Sequence, residues 1–326
     1  MLHEIHNPEC FANHMGMYMA EPSAVTGMID AIKDGTLRAR SLADIKADHL
    51  ELVKMNSGGL NWINAGGMAG YFLHSSGVAV VHMTGMLMKG QSKYGGTSTI
   101  GVRKALRAAK DDPNVSACLL CVDSPGGHVA GMVELADSIA QFSKPIAAHA
   151  DDLMASAAYG PSTQVTDGIT ANRSAEVGSI GTVAVLADTS GKAEAEGIKV
   201  HVISTGSLKG AFSAGVEITQ EQIDYMQERV DSLNGNFLQL VETGRGMTPA
   251  QVKAAATGAV FSAAKAVELG LIDGIMSMDD ALSQMINKYG RQPNSKDKGR
   301  PAPRPRAAAA AARIAAMEKY RLTGSF

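Results

Sequence analysis

The sequence reads Leu119-Leu120-Cys121-Val122-Asp123-Ser124-Pro125-Gly126-Gly127 near its centre, an apolar run that ends in a Pro-Gly-Gly turn. A short apolar run bounded by turn residues is typical of a strand buried on both faces. Short apolar runs alternate with helical patterns around it, namely Val78–Val81, a helix near 98–111, a strand over Ala117–Val122, a helix near 129–142 and a strand over Pro145–Ala148. This alternation predicts an α/β fold with a largely parallel sheet and flanking helices.

The second half of the chain adds further predicted elements. They are a strand over Lys199–Ile203, two helices opened by capping boxes at Thr219/Gln222 and Thr248/Gln251, and a helix over Ser262–Leu269 that ends at Gly270. A capping box predicts a helix start because two backbone N–H groups find side-chain acceptors there.

Composition divides the chain into three segments. Residues 1–70 are expected to form an N-terminal arm and a flexible glycine-rich joint over Gly58–Gly67, and residues 71–290 the main domain. Residues 291–326 carry nine Lys and Arg against two acids and predict a basic Pro/Ala-rich linker followed by a helical tail. The formal net charge of -2 therefore leaves the body acidic, which argues against nucleic-acid binding by the body.

The three cysteines are few and spaced for packing rather than for bridges. Cys118 and Cys121 lie three apart on a predicted strand, so their side chains point to opposite faces, and we expect core packing without disulfides. The N-terminal residues lack the pattern of a signal peptide, and no stretch has the length of a membrane span. The expectation is a soluble, cytoplasmic protein without a membrane anchor, metal or cofactor.

A serine and a glycine turn are the candidates for chemistry. Ser156 follows a predicted strand within a run of small residues, where it is either a nucleophile or a buried helix cap. We expect Gly126 and Gly127 to expose N–H groups at the start of a helix and to stabilise an oxyanion. The alternative is an ordinary turn from strand to helix.

A serine nucleophile needs a base, and the sequence offers Lys209. Its flanking residues, Gly206–Phe212, contain no acid that would hold the amine charged, and Ser179 in a Gly-Ser-Ile-Gly turn could orient it. Each of these also has a plain alternative, a solvated lysine and a glycine turn. The histidines nearest the motifs are expected to be structural rather than catalytic, namely His128, His149 and His201.

Four motifs together resemble the signal peptide peptidase A family of Ser-Lys proteases over about Gly77 to Ile275. The resemblance implies a fold similar to the Clp protease and crotonase folds, with Ser156 as nucleophile and Lys209 as base. It also implies Ser179 as the serine that holds the lysine, and Gly126 and Gly127 as the oxyanion hole. Gly160-Pro161 departs from the family pattern, because proline should interrupt the helix that follows Ser156.

The absence of a predicted anchor makes the chain resemble the phage head-maturation branch of that family. That branch implies polypeptide substrates such as scaffold, portal or capsid protein, a location in the host cytoplasm or inside a procapsid, and a homo-oligomeric ring that can share the dyad between subunits. Three alternatives stay open: a bacterial cytosolic peptidase similar to signal peptide peptidase, a crotonase-like acyl-CoA enzyme, and a non-catalytic scaffold protein.

Overall fold

A computed structural model describes residues 18–20, 60–66, 69–90 and 96–291. Contacts divide the chain into residues 1–291 and 292–326, and the second unit lies outside the described residues. The predicted helical tail and most of the predicted N-terminal arm fall outside the described residues as well.

Thirteen strands are present in the described residues. They are β1 Tyr18–Ala20, β2 Asn61–Gly66, β3 Ala69–Leu73, β4 Val78–Thr84, β5 Leu87–Met88, β6 Thr97–Ser98, β7 Ala117–Ser124, β8 Gly126–His128, β9 Ile146–Ala155, β10 Ile169–Ala171, β11 Glu176–Gly178, β12 Val260–Ser262 and β13 Gly274–Ile275. The helices between and after them are α1 Thr99–Asp111, α2 Met132–Ala140, α3 Tyr159–Ser162, α4 Ser190–Ala195, α5 Gln220–Arg245, α6 Pro249–Ala255, α7 Ala263–Glu268 and α8 Met278–Tyr289. A single 3-10 turn, Ser156–Ala158, joins β9 to α3.

The larger sheet has the strand order β12-β11-β9-β7-β4-β3-β2. The central strands β4, β7, β9 and β11 run parallel, and the outer pairs are antiparallel. The strands β10 and β13 extend this sheet beside the first part of β9, again in parallel. The predicted α/β class with a largely parallel sheet and flanking helices is thereby confirmed.

The central strand β7 is buried on both faces, as its continuous apolar sequence predicts. Its residues alternate between two hydrophobic clusters, with Cys118, Leu120 and Val122 in one and Ala117, Leu119 and Cys121 in the other. Helices α1 and α2 pack on the first face, and α8 packs on the second through Leu282 and Met285. The prediction for the two cysteines is confirmed, since Cys118 and Cys121 are buried, unpaired and on opposite faces.

Both capping boxes are confirmed. Thr219 and Gln222 open α5, and Thr248 and Gln251 open α6, which also has proline at its first turn. The last predicted helix becomes α7, and Gly270 follows it with a φ of 75°, the left-handed region that favours glycine.

Three local predictions are wrong. Asn61–Gly66, part of the predicted flexible joint, is strand β2, and it pairs with β3 in the sheet. The predicted strand over Lys199–Ile203 is irregular and exposed, because none of the strands in the described residues pairs with it. The helix expected directly after Gly127 begins at Met132, since Gly126–His128 forms strand β8 instead.

Strand β8 belongs to a second, smaller sheet with the order β1-β8-β5-β6. Gly127 pairs with Leu87 of β5 on one side and with Met19 of β1 on the other. A Cβ atom at Gly127 would overlap the backbone of Leu87, so the strand needs glycine at this position.

Candidate active site

Ser156 lies at the turn between β9 and the 3-10 turn. It follows β9 directly, opens the 3-10 turn and has a φ of 53°, a left-handed conformation that is uncommon for a residue with a Cβ atom. Its side chain is 1% exposed, and its Oγ has no hydrogen-bond partner among the described residues. A strained, buried and unpaired hydroxyl at a strand-to-helix turn is unfavourable for stability and is typical of functional sites.

Ser179 occupies the equivalent position on the neighbouring strand. β11 runs parallel to β9 with Gly178 opposite Ala155, so Ser179 and Ser156 each follow a directly paired residue. Ser179 is also buried, has a φ of 50° and donates its backbone N–H to the Ala259 carbonyl at 2.7 Å. The structure therefore brings these two predicted site residues to the same edge of the sheet.

The glycine turn lies against the same place. Strand β8 contacts the 3-10 turn that begins at Ser156, and Gly126 has a φ of 96°. The Gly126 N–H donates to Ser124 Oγ at 3.2 Å, and Ser124 Oγ donates to the Gly85 carbonyl at 2.6 Å. Because α2 begins only at Met132, any help to an oxyanion comes from single N–H groups rather than from the aligned helix dipole that the sequence predicted.

One backbone donor was not predicted from the sequence. Ala157 is the second residue of the 3-10 turn, and the first N–H groups of a helical turn have no acceptor within the turn itself. In strand-to-helix nucleophile turns the N–H after the nucleophile contributes to the oxyanion hole. The small-residue run Ala155–Ala158 was the available signal, but the left-handed Ser156 could not be read from it.

Lys209 is exposed, whereas Ser156 and Ser179 are buried. It is exposed within an irregular segment, and its backbone N–H donates to the Gly206 carbonyl at 3.0 Å. It makes no hydrogen bond to Ser156, whose Oγ is unpaired within the described part of the chain. One copy of the chain therefore brings together Ser156, Ser179 and the glycine strand, without a hydrogen bond from the predicted base to Ser156.

The segment around Lys209 has an unusual surface. Val185 and Ile203 are 78% and 98% exposed, and Ile198, Val200 and Val202 are exposed too. The first half of α5 follows and buries little, with Ile223 and Tyr225 exposed. Several exposed apolar side chains within one stretch of chain are typical of a protein–protein contact.

Acidic groups gather at the carboxyl ends of β7 and β9. Burial raises the pKa of Asp123, and the nearby Asp152 and Asp151 raise it further. Burial also raises the pKa of Asp151, with Asp152 adding to the effect. Among residues 60–66, 69–90 and 96–291, no group of three metal-ligating side chains is present.

The three histidines are not placed as a base for Ser156. His149 is buried on β9 and its Nδ1 lies 2.9 Å from Thr170 Oγ1, while His201 is exposed in the irregular segment. His128 ends β8, and burial lowers its pKa. None of the three hydrogen-bonds to Ser156 Oγ, in keeping with the structural role expected for them.

His149 makes the protein sensitive to mild acid. Burial lowers its pKa from 6.5 to about 4, so the unfolded chain binds a proton at higher pH than the folded one. The contribution of His149 to the free energy of unfolding should thus be greatest above pH 6.5. The free energy of unfolding should fall by about 3 kcal/mol as the pH drops to 4. Urea titrations between these pH values should show this loss, and His149→Gln, which keeps hydrogen-bonding groups but does not titrate, should show much less. Equal losses in both proteins would contradict the assignment.

A protein-family model matches the part of the chain that contains the two buried serines of this site. Residues 139–290 match Peptidase family S49. We call residues 139–290, which are similar to that family, the S49 region. Ser156, Ser179 and Lys209 all lie within the S49 region, whereas Gly126 and Gly127 precede it. The predicted resemblance to the signal peptide peptidase type of protease is thereby confirmed.

Two phage proteins are similar over a longer stretch. The chain is 29% identical over 231 residues to capsid assembly protease C of Escherichia phage lambda, covering 69% of this chain and 52% of that protein. It is 29% identical over 216 residues to head-tail preconnector protein GP5 of Enterobacteria phage P21, covering 64% of this chain and 43% of that protein. The chain thus spans about half the length of these relatives.

One solved structure has a partial likeness to this chain. The ClpP protease catalytic domain of Plasmodium falciparum gives a TM-score of 0.38 at 12% identity, covering 61% of this chain and 85% of that chain. Separately, the described part of this chain has no helix that is both long and apolar enough to cross a membrane.

Proposed function

We propose that the protein is a serine endopeptidase in which Ser156 is the nucleophile and Lys209 the base. The observation that carries the proposal is the buried, strained and unpaired Ser156 hydroxyl, which lies beside Ser179 within the S49 region. Gly126, Gly127 and Ala157 are the backbone groups proposed to stabilise the oxyanion. The relatives that are named proteases support the same class of reaction.

The proposed reaction has two balanced steps. The neutral Lys209 amine takes the Ser156 proton as Oγ bonds to the substrate carbonyl carbon, and the peptide C–N bond then breaks as its nitrogen receives that proton. Water next attacks the ester carbonyl carbon and gives a proton to Lys209. Lys209 passes this proton to Ser156 Oγ as the ester C–O bond breaks, which releases the acid and restores the Ser156 hydroxyl and the neutral amine. Ser179 is the proposed partner that orients the amine.

We further propose that Lys209 reaches Ser156 from a neighbouring copy in a homo-oligomer. In one chain the lysine is exposed and carried on an apolar, irregular segment, which association would bury. Burial in that contact would also favour the neutral amine that a base requires, because desolvation disfavours the charged form. A single copy is then an incomplete enzyme.

The proposed substrates are proteins of a phage particle under assembly, such as scaffold or capsid protein. This proposal rests on the similarity to a protein named capsid assembly protease C. It does not rest on the geometry of the site. A bacterial signal-peptide-peptidase-like enzyme would use the same groups on other substrates. A crotonase-like acyl-CoA enzyme or a scaffold protein would need neither Ser156 nor Lys209.

Labelling with a fluorophosphonate tests the dyad without a known substrate. We expect mass spectrometry to find the phosphonate on Ser156, and Lys209→Met to slow the labelling by roughly 100-fold or more, the usual contribution of a general base. Lys253→Met is the matched control, because Lys253 is exposed on α6, outside the irregular segment of Lys209, and the labelling rate of this variant should stay unchanged.

A mixing experiment tests the sharing between copies. Ser156→Ala and Lys209→Met chains, each inactive alone, should regain labelling and hydrolysis when they are combined and allowed to exchange subunits. Absence of label on Ser156 would remove the protease proposal. Label on Ser156 without recovery in the mixture would leave the dyad and remove the shared arrangement.

A further inference from the structure

The smaller sheet contains a strand from the far end of the chain. β1, Tyr18–Ala20, pairs antiparallel with β8 and places Tyr18 opposite His128, Met19 opposite Gly127 and Ala20 opposite Gly126. The same strand also contacts the 3-10 turn that begins at Ser156. A short N-terminal segment thus lies against both the glycine strand and the turn that carries the proposed nucleophile.

The edge of β8 that β1 occupies is suited to an extended peptide. The opposite edge is already paired with β5, so only this side can accept another strand. Extended peptides bind such edges through main-chain hydrogen bonds, which place few demands on the sequence of the peptide. At Gly126 and Gly127 the strand consists of main chain alone, which permits close approach.

The direction of the pair fixes how the segment lies. Because the strands are antiparallel, β1 advances toward the start of β8, and Ala20 reaches Gly126 beside the Ser124-Pro125 turn. A peptide bound in this register would run antiparallel to the glycine strand. Its main chain would lie against β8 and beside the Ser156 turn.

We propose that β8 is a peptide-binding strand and that residues 18–20 are its intramolecular ligand, which excludes other peptides from the site. A segment held on the same chain acts at an effective concentration in the millimolar range, so an added peptide must displace it. The inference rests on the proposed function for the meaning of the site, but the binding can be measured without catalysis.

The test uses full-length chains that carry Ser156→Ala, so that no peptide is cut. Ladder N–H groups alternate along a strand, so replacing both Tyr18 and Met19 by proline removes a donor to β8 in either phase. The matched control replaces both by alanine, which keeps the main chain intact. The probe is a fluorescein-labelled decapeptide with the sequence of residues 15–24, followed by fluorescence anisotropy.

We expect the double-proline chain to bind the probe at least about tenfold more tightly than the parent, and the double-alanine chain to resemble the parent. Successive amides of β8 face opposite neighbours, so one of the Gly127 and His128 amides faces β1. Hydrogen exchange should show one of these two amides protected in the parent and exposed in the double-proline chain. Equal probe binding by the parent and the double-proline chain, or an equal exchange rate at both amides in the two chains, would overturn the inference. Failure of the proposed function would appear instead as absent fluorophosphonate labelling of Ser156, which neither readout uses.

Discussion

Ser156→Ala should abolish hydrolysis, with a loss of roughly 10⁴-fold or more, and yet leave the protein at least as stable as before. The loss follows because no other hydroxyl is placed at the start of the 3-10 turn to form the acyl-enzyme. The stability follows because the Ser156 Oγ is buried without a partner among the described residues. Removing an unsatisfied polar atom relieves a desolvation cost, and alanine keeps the Cβ atom, so the left-handed backbone is no more strained.

Ser162→Ala is the matched control for that variant. Ser162 is also a fully buried serine, six residues further along, but its Oγ donates to the Ala158 carbonyl at 2.8 Å. Its replacement should lower the free energy of unfolding by about 1 kcal/mol and leave Ser156 reactive. Urea unfolding and fluorophosphonate labelling measure both effects. An active Ser156→Ala protein, or one destabilised as much as Ser162→Ala, would contradict this interpretation of Ser156.

Gly127→Ala should damage both stability and reactivity. The new Cβ atom would overlap the backbone of Leu87, which cannot move away without breaking the pair between β5 and β8. Overpacking of this kind costs about 1–3 kcal/mol, and the displaced strand would carry the Gly126 N–H away from the Ser156 turn. We expect the labelling rate of Ser156 to fall roughly 100-fold, the usual effect of losing an oxyanion donor.

Gly235→Ala controls for the glycine substitution itself. Gly235 lies inside α5, and no neighbouring atom lies within 4 Å of the position that a Cβ atom would take, so alanine fits there. It should raise the free energy of unfolding by about 0.5–1 kcal/mol, because glycine is a poor residue within a helix. Chemical denaturation measures the free energies of unfolding of both variants, and fluorophosphonate labelling measures their reactivity. A Gly127→Ala protein as stable and reactive as Gly235→Ala would show that strand β8 tolerates a side chain.

Local patterns were sufficient for the central elements. The run ending at Val122 predicted a doubly buried strand, and the capping residues Thr219 and Thr248 located two helix starts, because these signals depend on neighbouring residues alone. The position of Ser156 directly after a strand was predictable for the same reason. Its left-handed conformation was not, since the surrounding packing imposes it.

Long-range pairing explains the predictions that failed. Gly126–His128 became a strand because β1 and β5 supply partners on both sides, and the sequence around the glycines contains no sign of either. Lys199–Ile203 shows the opposite case, in which a good strand pattern pairs with no strand of the described residues. Sequence spacing likewise could not reveal that Lys209 is exposed while Ser156 is buried.

The chain order of the β1–β8 pair has a consequence for protein synthesis. Ribosomes release a chain from its N-terminus, so Tyr18–Ala20 and then Gly126–His128 emerge before Ser156, and Lys209 emerges later still. The two strands can therefore meet before the proposed nucleophile and the proposed base have left the ribosome. A nascent chain that folds in this order covers its glycine strand before Ser156 and Lys209 have emerged.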